Sequence, residues 1–199
     1  SSDISDRELA RSWMLAQAAA ARYALEPEEA VRDLDATLMA AEDAYRNSFV
    51  IWGEAKSAQE AAIGEWAKEE KALFITSQLD AMRSRAWGLQ LIAQEWIPID
   101  PQKSAAILER AFQVAQDSVG DYYDLDARSI AVTYARLDPS RSIEIINTVN
   151  SLYIKAWGLR EIAAITGDSS ILDLAVKTTK QISEPIFGAH ALSELGIQT

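Results

Sequence analysis

Ala86-Trp87-Gly88-Leu89-Gln90-Leu91-Ile92-Ala93 returns as Ala156-Trp157-Gly158-Leu159-Arg160-Glu161-Ile162-Ala163, and the longer stretches 71–93 and 141–163 align around them without a gap. A chain that repeats itself at an interval of tens of residues builds stacked helical hairpins, because one hairpin buries its apolar face only against the next. Trp-Gly also occurs at Trp52-Gly53, so the tryptophans at 52, 87 and 157 stand 35 and 70 residues apart. The slot between them, at 122, holds Tyr122 with Tyr123 beside it. The period is therefore about 35 residues, in the range of helical repeats.

Working outward from the Trp-Gly pairs, apolar residues recur at helical spacing in Leu89, Ile92, Ala93 and Trp96. The same phase returns in Ala127, Ile130, Ala131 and Tyr134, in Leu159, Ile162 and Ala163, and more weakly in Leu192, Leu195 and Gly196. Each set marks one buried helix face. A second signature opens the helix that follows: an acid, a proline, two residues, then a small residue. It reads Glu26-Pro27-Glu28-Glu29-Ala30, Asp100-Pro101-Gln102-Lys103-Ser104 and Asp138-Pro139-Ser140-Arg141-Ser142. An acid at the cap accepts an orphan backbone N–H, proline in the first turn has no N–H to leave unpaired, and the small residue lets two helices approach closely. Gly167-Asp168-Ser169-Ser170 makes a fourth turn with glycine and polar caps in place of proline.

These marks predict helices at about 5–24, 27–45, 48–63, 65–80, 82–97, 101–117, 121–136, 139–149, 152–165, 168–181 and 186–197. The fold class is all-α: an α-α superhelix, or solenoid, of antiparallel helical hairpins forming a single domain over 1–199. Residues 1–80 are degenerate N-terminal repeats or a cap, and 82–199 are regular repeats.

Composition supports helices and narrows function. Half the chain is hydrophobic (49%) and rich in Ala, Leu and Ile, while Gly (8) and Pro (5) are scarce, which disfavours disorder and strand. Thirty Asp and Glu against nineteen Lys and Arg leave a net charge of −11, which repels a phosphate backbone, so nucleic acid is not an expected partner. Zero cysteines exclude disulfides and thiolate chemistry. No apolar run approaches the roughly 20 residues of a membrane span. Ser1 in place of Met fits removal of an upstream segment, and the sequence leaves the compartment open: cytoplasmic, or periplasmic or secreted after signal removal.

The arrangement resembles the tetratricopeptide-like helical repeats, with a HEAT-like array as the nearest alternative. The likeness rests on Trp87-Gly88-Leu89 through Ala93 and Trp96 in a first helix, then Lys103-Ser104-Ala105 through Arg110-Ala111-Phe112 in a second. It covers 82–199 and departs where proline opens the second helix instead of ending it. The resemblance implies a binding scaffold with no catalytic residues to carry over.

Candidate sites follow from the same pattern. Trp52, Trp87, Tyr122 and Trp157, with Tyr123, form a row at one repeat position. Such rings commonly pack one repeat on the next; the functional alternative is a concave groove that grips a peptide through aromatic anchors. Asp121, Asp124 and Asp126 lack the alternating ligands, turn glycine and distal Glu of a calcium loop, and read as a solvated helix start. His190 is the only histidine, and Phe187 stands where a Glu-x-x-His metal motif needs its glutamate. The acid pairs Glu28-Glu29, Glu42-Asp43 and Glu69-Glu70 are neighbours about 100° apart on a helix and do not converge. No catalytic residue, metal site or cofactor is expected. The sequence thus points to a non-enzymatic protein–protein interaction scaffold, binding a basic or amphipathic protein or peptide on the concave face of the first helices over 82–165. Self-assembly into a homo-oligomer and a carboxylate enzyme in a helical cavity are the alternatives.

Overall fold

The computed structural model describes residues 2–60, 85–117 and 121–183, with side chains over 11–43, 85–117 and 122–183. The helices expected at 65–80 and 186–197, Glu69-Glu70, His190, and the side chains of Trp52 and Asp121 lie outside the described residues. Eight helices occur among the described residues: α1 (Ser2–Arg22), α2 (Pro27–Glu60), α3 (85–96), α4 (Pro101–Gln116), α5 (Asp121–Tyr134), α6 (Pro139–Asn147), α7 (Leu152–Thr166) and α8 (Ser169–Thr179). They pack as consecutive antiparallel hairpins, α1 with α2, α3 with α4, α5 with α6 and α7 with α8, as a helical repeat requires. Among the described residues no helix is long and apolar enough to cross a membrane.

One boundary differs from the sequence expectation. The break placed between 45 and 48 is absent, and α2 continues without interruption from Pro27 to Glu60. Asn47 and Ser48 are weak helix formers, but neither removes a backbone N–H as proline would, and a single Gly53 is tolerated inside a helix.

The acid-proline signature makes one turn three times. The N–H groups of Glu26, Asp100 and Asp138 bond the carbonyls of Arg22, Trp96 and Tyr134 at 2.9, 2.8 and 2.8 Å. The N–H groups of Ala30, Ser104 and Ser142 then bond the carbonyls of those same acids at 3.0, 2.9 and 3.0 Å. Asp138 caps α6 by accepting from Ser140 N and Arg141 N at 2.9 and 3.1 Å, and Asp100 accepts from Lys103 N at 3.0 Å. Ala30, Ser104 and Ser142 are completely buried where the two helices converge. Ser104 Oγ donates to the Ala93 carbonyl and Ser142 Oγ to the Ala131 carbonyl, both at 2.7 Å and both eleven residues back. A hydroxyl from the second helix thus answers a carbonyl near the C-terminus of the first, where orphan acceptors lie. The α7–α8 turn uses a different device: Gly167 at φ 71° takes the left-handed conformation open to glycine, and Asp168 caps α8 through Ser170 N at 2.8 Å.

The chain divides into two compact units, Ser1–Arg110 and Ala111–Thr199. In the first, α2 and α4 are joined by two ion pairs, Asp35 with Lys103 and Glu42 with Arg110. Both partners advance by seven residues, so these second helices run parallel, as in stacked hairpins. Such exposed pairs contribute at most about 1 kcal/mol each, so they set register more than stability. At the α1–α2 turn, Arg22 pairs with Glu26, Glu29 and Asp33, placing a cation at the C-terminal end of α1 beside the acidic start of α2. In the second unit, α7 packs on α5, α6 and α8. Gly158 makes that approach possible. A Cβ there would lie 2.5 Å from Ile146 Cδ1 and 3.0 Å from Arg128 Cγ, inside contact distance of both neighbouring helices.

The two hinge serines make the same bond. Ser104→Ala and Ser142→Ala each remove one hydrogen bond to a buried carbonyl and are each expected to cost about 1 kcal/mol. Urea unfolding midpoints of the two variants, measured side by side with wild type, check the size of the loss.

Candidate functional site

Trp87, Tyr122, Tyr123 and Trp157 all lie on first helices of their hairpins. Trp87 on α3 is 55% exposed. Leu91, one turn on, and Glu95, two turns on, are half-buried along the same stripe. Trp157 on α7 is half-buried, as are Tyr122 and Tyr123 in the first turn of α5, and Trp52 lies on α2. The ring that fills the core is instead Trp96, which lies beneath the α3–α4 turn with Lys103 Nζ 4.0 Å from its centroid.

The turn register shows which residues are equivalent. Trp87 lies thirteen residues before Asp100, and the residue thirteen before Asp138 is Leu125. Leu125, not Tyr122, therefore shares the position of Trp87 and Trp157, because the connections between hairpins differ in length. Tyr123 is committed internally: its hydroxyl donates to Thr148 Oγ1 at 2.6 Å, tying α5 to the C-terminal end of α6.

The acids of α5 correct the sequence reading. Asp124 and Asp126 are buried, not solvated. Asp124 reaches the α6–α7 connection, where Oδ1 accepts from Asn150 N at 2.9 Å and Oδ2 from Ser151 N at 2.8 Å. These backbone donors precede α7, and a carboxylate is the strongest acceptor available to them. Asp126 stands at the register position held by Gly88 and Gly158. Asp124 resembles part of a helix start facing water because its partners lie 26 and 27 residues away in the sequence. Among the described residues, no group of three or more His, Asp or Glu is placed to hold a metal ion.

The most organised charge in the second unit sits on the α5–α7 seam, at residues the sequence did not single out. The Arg128 guanidinium lies 3.4 Å from the centroid of the Trp157 ring and pairs with Glu161. Its side chain is only 14% exposed. Trp157 and Glu161 are one turn apart, so a single face of α7 offers a π-surface and a carboxylate to the same cation. The i,i+4 spacing of Trp157 and Glu161 was visible beforehand; the cation from α5 was not.

The first unit has a corresponding α1–α3 seam, and its contents differ. Gln17 on α1 hydrogen-bonds Glu95 on α3. Burial raises the Glu95 carboxyl above its ordinary value, and the Gln17 bond partly opposes this. Met14, one turn before Gln17, is exposed. Trp87 and Leu91 thus share a face of α3 with a partly desolvated carboxylate, Glu95.

Comparison of the chain with protein-family models, with curated proteins and with solved structures finds no match.

Two measurements check these seams. A double-mutant cycle of Arg128→Met and Trp157→Leu, read by urea unfolding, is expected to give a coupling energy of about 1–2 kcal/mol. For Glu95, a raised carboxyl contributes stability that is fully present below the unfolded-state value of 4.5 and lost as pH rises through the folded-state value. Glu95→Gln is therefore more stable than wild type near neutral pH, with the difference closing as pH falls to about 4. Unfolding midpoints at the two pH values test the sign.

Proposed function

We propose that this protein is a non-enzymatic helical-repeat module that binds a peptide or protein segment along the outward stripes of its first helices. The observation that carries the reading is Trp87, a large ring left mostly exposed on a first helix while Trp96, nine residues along, fills the core. Exposed tryptophan is uncommon on a surface that meets only water, and aromatic anchors dominate protein recognition. Within each unit the first helices meet, α1 with α3 and α5 with α7, and a face of paired first helices is of the kind that repeat proteins use for binding. Within that class we assign the chain to the tetratricopeptide-like repeats, on the helix-pair period and the small residue at each hinge. A HEAT-like array differs mainly in helix length and curvature.

The net charge of −11 selects basic or amphipathic partners. Acidic side chains along the face raise the association rate of a basic segment, and that contribution is screened within about 8–10 Å at physiological salt.

The experiment is affinity capture with wild type and Trp87→Ala, after circular dichroism has established that both are equally helical. A partner retained by wild type and lost from Trp87→Ala is expected, with binding that weakens at least about tenfold between low and high salt. Equal retention by both proteins, or binding indifferent to salt, removes the face or the charge from the reading.

A further inference from the structure

Repeats allow one part of a chain to serve as the control for another. In the second unit, Trp157 is covered by Arg128, which lies ten residues before the acid of its own turn, Asp138. The residue ten before Glu26, at the same place in α1, is Ala16, and it is completely buried. The carboxylate that completes the triad in α7 is Glu161, four residues after Trp157; four residues after Trp87 stands Leu91. The α1–α3 seam therefore keeps the tryptophan and lacks both the cation and the carboxylate that occupy it internally elsewhere. Among the described residues, no cation stands over the Trp87 ring. The ring is exposed where Trp157 is half-buried.

We propose that a basic segment of a partner protein docks on the α1–α3 face and lays an arginine over Trp87, supplying from outside the cation that Arg128 supplies to Trp157 from within. This rests on the interaction-module reading above and names the chemistry of its partner. Arginine fits better than lysine because its planar guanidinium stacks face to face on an indole, as Arg128 does. Charge complementarity points the same way, since the chain carries eleven more acids than bases. Glu95 lies eight residues beyond Trp87 on the same helix, about 12 Å along the axis, where a second cation of the segment can pair with it. That distance matches two arginines four positions apart in an extended peptide, at about 3.3 Å per residue. Leu91, between Trp87 and Glu95 in sequence and on the same face, supplies apolar contact for the intervening aliphatic stems.

The test uses the full chain with its tryptophan side chains labelled with nitrogen-15, the Trp87 indole signal being assigned through Trp87→Phe. The probe is a short blocked peptide with two arginines four positions apart, compared with the same peptide carrying citrulline, which keeps the shape and removes the charge. Saturable movement of the Trp87 signal, with Trp157 unmoved, is expected for the arginine peptide, and the citrulline peptide binds at least about tenfold more weakly. Trp87→Ala weakens arginine-peptide binding by about three- to tenfold. Leu91→Glu, which recreates the carboxylate of the second unit beside the ring, tightens it. Equal movement of Trp87 and Trp157 would mean diffuse attraction to an acidic surface and overturn the inference. So would equal binding of the citrulline peptide, unchanged binding by a folded Trp87→Ala, or a mass that doubles with concentration as Trp87 becomes covered by a second copy. If a captured partner depends on Trp87 yet the arginine peptide does not compete with it, the interaction module stands and the arginine contact falls. If capture is also independent of Trp87, both fall.

Discussion

The rest of the structure depends on a small side chain buried at the hinge of each acid-proline hairpin. Ala30, Ser104 and Ser142 let a second helix start within packing distance of the helix it has just left. Proline one turn earlier presets the backbone for helix, and the acid before it holds the free N–H groups of the new N-terminus. In the two serine hinges the hydroxyl also answers a carbonyl of the preceding helix, so the same atoms that allow close approach satisfy a polar group that approach would otherwise desolvate. Larger residues at these positions would push the helices apart along their whole length, and every apolar contact further along each hairpin would loosen with them.

Hairpins become an array through a second set of contacts, and these are less uniform. Gly158 admits α7 against α5 and α6, and Asp124 captures the backbone that leads into α7. The Arg128 guanidinium then closes the seam over Trp157 and Glu161. Each of these side chains reaches across to another hairpin, so none is prescribed by its own helix. In the first unit the comparable work is done by ion pairs from α2 to α4 and by the hydrogen bond from Gln17 to Glu95. Variation at the seams is what allows one repeat position to be covered by a cation in one hairpin and open in another. Trp157 and Trp87 are the clearest pair: the same residue, with the same glycine after it, in two electrostatic settings.

Much of the fold was legible because helices are specified locally. The apolar phase of Leu89, Ile92, Ala93 and Trp96 and its echoes located the first helices, and the Asp-Pro signatures located the second ones to within two residues. Where local signals were weak, the sequence reading went astray. The sequence reading ends one helix at 45 and starts the next at 48, yet without proline the hydrogen-bond ladder of α2 carries on. The candidate site was less legible. The tryptophans were found by their recurrence, but regular spacing placed Tyr122 in a slot that the turn geometry gives to Leu125. Arg128 drew no notice, because its partners are 29 and 33 residues away and no local pattern links them.

The sequence by itself determined that this chain is helical, that its helices pair as hairpins, and where three of the turns lie, since capping, proline geometry and helical periodicity all act within a few residues. Only the tertiary structure decided that Asp124 and Asp126 are buried, that Trp96 rather than Trp87 belongs to the core, and that Arg128 covers one tryptophan of the repeat while Ala16 leaves the other open. Burial and ion pairing are set by whichever element comes to lie alongside. A residue carries no local mark of the neighbour that will desolvate it or of the charge that will neutralise its own.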